Sequence, residues 1–97
     1  MKILALEKEI PSADDKGFQA HAKAEALQAW ELVQAGTLRE IYFRADRNEA
    51  VLVLECHDAA EAQDVLGSLP LVKAGLIAFD VIPLAPYPGF ARLFETE

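Results

Sequence analysis

The pattern of apolar and polar positions predicts one small domain built from alternating strands and helices. Residues 2–9 are rich in Ile and Leu and stop before Pro11, which is typical of a strand. From Phe18 to Val33 the apolar residues recur every three or four positions, and Gly36 follows, so we expect a helix with a left-handed glycine cap. The apolar stripe of this helix consists of Phe18, Ala22, Ala26, Ala29, Trp30 and Val33.

The rest of the chain predicts a hairpin, a second helix and a final strand. Strict alternation indicates the first strand of the hairpin. Asp58 followed by Glu61 fits a capping box, which places a helix start between them. In order, the predicted elements are a strand at 37–45, a turn at 46–48, a strand at 50–56, a helix at about 59–67, a loop at 68–75 and a strand at 76–82 closed by Pro83.

The order β-α-β-β-α-β predicts an α+β fold. Two right-handed strand-helix-strand crossovers give a four-stranded antiparallel sheet with both helices on one face, which is the ferredoxin-like arrangement. We treat residues 1–97 as a single domain, because a chain of this length has room for one core.

The apolar character of the central strands predicts self-association. Residues 50–54 are apolar on both faces, and residues 76–79 are nearly so, although two helices can cover only one face. An uncovered apolar sheet face is larger than a soluble monomer usually exposes. We therefore predict a homodimer that packs sheet to sheet about a two-fold axis. Whether dimers assemble further into rings is left open.

The C-terminal tail, residues 83–97, is expected to dock rather than trail in water. Three prolines between positions 83 and 88 disfavour a regular helix or a central strand over 84–94. The aromatic and aliphatic residues that follow favour a covered position. Two docking sites remain open, the pocket of the same chain and the partner subunit.

Composition narrows the classes of function. The 97 residues carry a formal net charge of −7, which disfavours binding to nucleic acid or to an anionic membrane surface. No apolar run is long enough to span a bilayer, and the N-terminus lacks the apolar stretch of a secretory signal. The single cysteine, Cys56, cannot form an intrachain disulfide, so we expect a cytoplasmic protein.

Three side chains are candidates for acid–base catalysis: Glu7, Asp80 and His21. Asp80 lies within the apolar last strand, where its charged form is disfavoured, and this suits a general base acting beside a carbonyl. The alternative is an edge position or an ion pair with an arginine. His21 precedes Glu25 by one helical turn, as either an oriented acid–base histidine or an ordinary helical pair.

The candidate substrate-binding residues are Arg39, Tyr42 and Trp30. Three arginines of the hairpin form a positive region in an acidic chain, and Arg39 is placed to hold a small carboxylate. Pairing with the glutamates of the hairpin is the alternative. Tyr42 and Trp30 line either a pocket or the core. No glycine-rich phosphate loop, nucleophile elbow or zinc-ligand spacing is present, so no cofactor and no metal are predicted.

Three segments resemble the muconolactone delta-isomerase family, which belongs to the dimeric α+β barrel superfamily. They are GTLREIYF at 36–43, LGSLPL at 66–71 and FDVIPL at 79–84. The resemblance implies a ferredoxin-like subunit, a sheet-to-sheet dimer and a small-molecule pocket between sheet and helices. It also implies a cofactor-free proton shift on a lactone acid.

Two functions follow as hypotheses. In the first, a homodimeric enzyme binds a small lactone or carboxylate through Arg39 and moves a proton with Glu7 or Asp80, assisted by His21. In the second, the same dimer is a non-catalytic module for small-ligand binding or assembly. A shared fold does not decide between them.

Overall fold

The structure, a computed structural model, describes residues 1–11 and 15–96. Within these residues the chain forms four strands and three α-helices, followed by one 3₁₀ segment. In chain order they are β1 (Lys2–Glu9), α1 (Asp15–Gln34), β2 (Leu38–Phe43), β3 (Ala50–Glu55), α2 (Ala59–Gly67), α3 (Pro70–Lys73), β4 (Ile77–Pro83) and the 3₁₀ segment Gly89–Phe94. Across the described ranges, every helix is too short or too polar to cross a bilayer.

The four strands form one antiparallel sheet in the order β2-β3-β1-β4. β1 is central and pairs with β3, where Ala5 lies opposite Leu52, and with β4, where Leu6 lies opposite Asp80. α1 connects β1 to β2 across β3, and α2 connects β3 to β4 across β1. This connectivity is the ferredoxin-like arrangement, so the predicted α+β fold class is confirmed.

Side chains that point from the sheet toward the helices form the hydrophobic core. Alternation along β1 places Ile3 and Ala5 on this face, and both are fully buried. Leu54 of β3 lies opposite Ile3, and α2 adds Ala62 and Leu66 to the same cluster. Burial of one large aliphatic side chain contributes roughly 1.5–3 kcal/mol, so this cluster stabilises one end of the sheet.

The predicted caps of both helices are confirmed. Gly36 follows α1 with a φ of +80°, and its N–H donates to Val33 O over 3.0 Å, which ends the helix in a left-handed turn. At the start of α2, Asp58 Oδ1 accepts from Glu61 N over 2.8 Å. Glu61 Oε2 accepts from His57 N over 3.0 Å, which completes the reciprocal pair one residue earlier than predicted.

A bulge in β2 corrects the strict alternation expected for residues 37–45. Leu38 lies opposite Leu54, whereas Glu40 lies opposite Val53, so β2 contains one extra residue at Arg39. The alternation placed Leu38 on the face of Glu40, but the bulge rotates it into the core, where only 1% of it is exposed. The charge and polarity of the β2 residues do not by themselves predict a bulge.

Some element boundaries also differ from the sequence prediction. α1 already includes Asp15, ahead of the predicted Phe18. The expected loop at 68–75 contains the short helix α3, which begins at Pro70 because proline suits the first helical position. The tail forms a 3₁₀ segment at Gly89–Phe94, where regular structure was not expected, because all its prolines precede that segment.

The sheet face opposite the helices, which we call the open face, carries no element of the described chain. Alternation and register place six large apolar or aromatic side chains on it. These are Leu4, Leu6, Tyr42, Val51, Val53 and Ile82. Within one subunit Tyr42 is 57% exposed and Ile82 is 39% exposed.

The C-terminal tail extends away from the rest of the subunit. After Leu84 N donates to Lys2 O, no hydrogen bond joins residues 85–96 to the sheet or helices in the described part of the chain. Phe90, Leu93 and Phe94 remain between 67% and 83% exposed. The longest dimension of the subunit is 63 Å, about twice the next, 29 Å.

Candidate functional site

An apolar cavity of about 390 Å³ lies between α1 and the sheet. Helix α1 contributes one wall, and the segment around α3 closes one side. Helix-facing residues of all four strands form the floor, and β1 contributes only Glu7 to it. Its lining consists of Glu7, Phe18, Ala22, Glu25, Ala26, Ala29, Ile41, Phe43, Asn48, Ala50, Leu52, Leu69, Leu71, Ile77 and Phe79. A volume of this size accommodates a small ring compound.

Small residues on α1 explain why this space is open. Ala22, Ala26 and Ala29 face the sheet at helical spacing, where larger side chains would fill the gap. Phe43 and Phe79 stand on the sheet side of the same space. The apolar stripe predicted for the first helix therefore lines a cavity over much of its length rather than a filled core.

Glu7 places a carboxylate on the floor of the cavity. Strand alternation puts its side chain on the core face two residues after Ala5. Its Oε1 accepts from Ala50 N over 3.0 Å, across the β1–β3 pair. Burial raises the pKa of the Glu7 carboxyl, the Ala50 N–H opposes this shift, and the nearby carboxylates of Glu49, Glu25 and Glu9 add to it. A carboxylate with a raised pKa is a stronger base than an exposed glutamate.

Glu25 places a second carboxylate in the cavity, from the helix side. Its Oε1 accepts from Leu71 N over 2.9 Å, which ties α1 to the first turn of α3. Burial raises the pKa of the Glu25 carboxyl, while the Leu71 N–H and the charge of His21 lower it. His21 thus acts on Glu25, as the one-turn spacing indicated, although His21 does not line the cavity.

An open cleft of about 760 Å³ adjoins the cavity at its mouth. The two spaces share four lining residues, Glu7 and Phe18 among them, and the cleft adds Arg47 and Glu49 from the β2–β3 turn. Arg47 Nη1 lies 3.6 Å from Glu49 Oε1, and the Glu49 side chain is only 10% exposed. The mouth therefore holds an arginine that is already paired with a nearly buried carboxylate.

The remaining candidates lie away from the cavity. Asp80 is on the open face, where its Oδ1 accepts from Lys8 Nζ over 3.0 Å. Tyr42 is on the same face and donates through its hydroxyl to Glu40 Oε1 over 2.9 Å. Arg39, the bulge residue, donates to Gly36 O, and Trp30 is 57% exposed on α1. Of the six candidates predicted from the sequence, only Glu7 lines the cavity.

Sequence reasoning missed Glu25 as a cavity residue and treated it only as the partner of His21. The available signal was its position: Glu25 lies between Ala22 and Ala29 on the stripe side of the helix, next to residues too small to fill a core. A carboxylate beside a run of alanines on a buried face is compatible with a ligand-holding space, but the alanines alone are equally compatible with close helix–sheet contact.

The described residues offer little for metal or thiol chemistry. In ranges 1–11 and 15–96, no group of three His, Cys, Asp or Glu side chains is arranged to hold a metal ion. Cys56 is buried, and burial raises the pKa of its thiol, which disfavours the reactive thiolate. The titratable side chains among the described residues that line the cavity are Glu7 and Glu25.

Comparisons with known proteins agree with this architecture. The chain is similar in structure to muconolactone isomerase, with 21% identity, a TM-score of 0.74, and 91% of this chain and 92% of that chain covered. It is also similar to 5-chloro-2-hydroxyhydroquinone dehydrochlorinase from Burkholderia phenoliruptrix AC1100 in complex with 2,5-dihydroxybenzoquinone. The values there are 17% identity, a TM-score of 0.68, and 92% and 98% coverage.

Sequence comparison identifies the family more directly than these structural likenesses, which show the fold. No curated protein sequence matches the chain. The family model of muconolactone delta-isomerase matches residues 5–89, which include β1 from Ala5, the cavity and the whole sheet edge at β4. The chain therefore belongs to the muconolactone delta-isomerase family.

Proposed function

We propose that this protein is a cofactor-free enzyme that moves a proton within a small cyclic carbonyl compound such as an unsaturated lactone. The observation that supports this most is Glu7, a half-buried carboxylate on the floor of an apolar cavity that is large enough for a small ring compound. The family is named for an isomerase that acts on a lactone. A neighbour of the same fold is named for a complex with a quinone ring, which also supports a small cyclic ligand.

In this proposal Glu7 is the base. Its carboxylate removes a proton from the ring carbon beside the carbonyl, and the electron pair moves onto the carbonyl oxygen to give an enolate. The proton then returns to a different ring carbon, so the double bond shifts and no atoms are gained or lost. Burial raises the pKa of Glu7, which strengthens it as a base toward a carbon acid.

Glu25 faces the ligand from the opposite wall as a second carboxylate. Burial raises its pKa, and the Leu71 N–H and the charge of His21 oppose this shift. His21 tunes this group through its charge and does not touch the ligand. We assign no role within the cavity of one subunit to Asp80, Arg39, Tyr42 or Trp30.

The assembly we propose is a homodimer through the open face. The open face of the sheet is apolar and is not covered by the helices of its own subunit. In a two-fold dimer this face packs against the same face of a second copy. Beyond Leu84 no hydrogen bond joins the tail to the sheet or helices in the described residues, and Phe90, Leu93 and Phe94 are exposed, so we propose that the tail docks on the partner. A cytoplasmic location completes the proposal and is supported by the single buried cysteine, Cys56.

The test is a proton-shift assay with α-angelica lactone, an unsaturated γ-lactone that carries no free carboxyl group. We expect the protein to convert it to the conjugated isomer in D₂O and to place deuterium on the ring, at a rate on the order of 10²-fold or more above buffer catalysis. Proton NMR follows both changes. Protein unfolded in guanidinium chloride serves as the control.

Isomerisation and exchange no faster than with the unfolded protein would contradict the proposed reaction. If the lactone then still raised the melting temperature in a saturable way, the result would support the second hypothesis, a non-catalytic binding module.

A further inference from the structure

The charged groups that face the cavity are acidic. Glu7 and Glu25 approach it from opposite walls and are close enough to interact electrostatically. Among the described residues that line it, none is Lys or Arg. From the described lining residues of one subunit, a ligand that enters therefore meets negative charge and no positive charge to balance it.

The arginines near the mouth do not change this balance, because carboxylates already neutralise them. Glu49 Oε1 lies 3.6 Å from Arg47 Nη1 and 3.8 Å from Arg44 Nη1. Arg44 also pairs with Asp46, with Nη2 to Oδ2 at 2.7 Å. An anionic ligand would have to compete with the nearly buried Glu49 for either guanidinium, and this carboxylate would lose one of its two cationic partners.

The hydrogen-bonding pattern of the two cavity carboxylates indicates what a ligand must supply. In each, a backbone N–H engages Oε1: Ala50 N for Glu7 and Leu71 N for Glu25. This leaves the second oxygen of each carboxylate to accept from the ligand. The other lining residues are almost all apolar, and they suit the faces and edges of a ring.

We infer that the cavity selects neutral rings bearing hydroxyl or carbonyl groups and rejects rings bearing a carboxylate. The inference rests on the proposed function, in that it takes this cavity as the ligand site. Hydroxyl groups satisfy the acceptors on both walls, whereas a carboxylate ligand would bring a third negative charge into an apolar space. Like charges placed together in a desolvated site weaken binding strongly. The inference differs from the sequence prediction that Arg39 holds a carboxylate and from the lactone acid that the family resemblance implies.

The experiment compares 4-hydroxybenzamide with 4-hydroxybenzoate, which have nearly the same shape and differ in charge. Hydroquinone is the third probe, because it offers two hydroxyl donors. In isothermal titration calorimetry of the full chain at pH 7.5, we expect the benzoate to bind on the order of tenfold or more weakly than the benzamide. Hydroquinone is expected to bind in the same range as the benzamide.

Variants identify the source of the discrimination. Glu25→Gln removes one negative charge from the wall and should narrow the ratio of the two affinities toward one. Glu31→Gln removes the same charge from an exposed position of the same helix and should leave the ratio unchanged. Circular dichroism establishes that both variants are folded. The primary result is the ratio of the benzoate and benzamide affinities measured with the unaltered protein.

Three outcomes would overturn the inference: equal or tighter binding of the benzoate, no binding of any probe, or an unchanged ratio in folded Glu25→Gln. Arg92 lies in the 3₁₀ segment of the tail. If the benzoate binds more tightly than the benzamide and Arg92→Ala abolishes this preference, the inference is overturned and the tail is assigned anion recognition. Selective binding of the neutral probes without proton exchange on the lactone would support this ligand class and contradict the proposed reaction. The two failures are therefore distinguishable.

Discussion

In Glu7→Gln we expect kcat/KM for lactone isomerisation to fall by about 10²–10⁴-fold, with the fold intact. Glutamine preserves the size of the side chain, and its amide oxygen can still accept from Ala50 N, which lies 3.0 Å from Glu7 Oε1. The amide cannot take up a proton from carbon. Initial rates with α-angelica lactone, with circular dichroism as a check on folding, measure this effect.

The same substitution should raise thermal stability at neutral pH. Burial raises the pKa of Glu7, so its charged form is disfavoured in the folded state. A carboxyl with a raised pKa contributes to the free energy of unfolding fully below its unfolded pKa, near 4.3. This contribution is lost as pH rises through the folded pKa. We therefore expect Glu7→Gln to melt above the unaltered protein at pH 7 and to lose this advantage near pH 4.

Two further variants decide whether Glu7 is the base. Asp80→Asn tests the other carboxylate predicted from sequence, which pairs with Lys8 on the open face. Glu31→Gln is a control for loss of negative charge at an exposed position on α1. Activity retained in Glu7→Gln and lost in Asp80→Asn would contradict the assignment and transfer the role to Asp80.

Val51→Asp should convert the proposed dimer into monomers. Val51 lies in the third strand between Leu6 and Tyr42, on the open face of the sheet. A second copy would take a carboxylate at this position out of water, and Lys8, the lysine two residues beyond Leu6 on the same face, already pairs with Asp80. An unpaired buried charge costs several kcal/mol. We expect dissociation to rise by on the order of 10²-fold or more, measured by sedimentation at micromolar concentration.

Control variants separate loss of the interface from loss of the fold. Val51→Thr nearly preserves shape and adds no charge, so it should sediment as the unaltered protein does. Tyr42→Asp changes an edge-strand residue that is 57% exposed in one subunit, and it should dissociate the proposed dimer with little risk to folding. An unaltered protein that sediments as a monomer, or a folded Val51→Asp that stays dimeric, would contradict the proposed interface.

The fold was predictable because its local signals agree with each other. Asp58 and Glu61 mark the start of the second helix, and Gly36 marks the end of the first. Both signals operate through hydrogen bonds between near neighbours, which sequence displays directly. The bulge at Arg39 was not predictable, because it depends on register with the third strand rather than on local residue type.

The site was predictable only where strand alternation decided it. Glu7 follows Ile3 and Ala5 at a spacing of two, so its face is fixed by the strand. The cavity itself arises from the distance between helix and sheet, which depends on packing of the whole stripe. A run of small residues is equally compatible with close helix–sheet contact, and for this reason Glu25 was not placed in the cavity from sequence.

A crystal structure of the full chain with a bound neutral ring ligand tests the central claim most directly. The account predicts the ligand inside the cavity of about 390 Å³, with a ring atom within roughly 3.5 Å of a Glu7 carboxylate oxygen. A ligand bound outside this cavity, or one held in it with Glu7 turned away from the ring, would contradict the account.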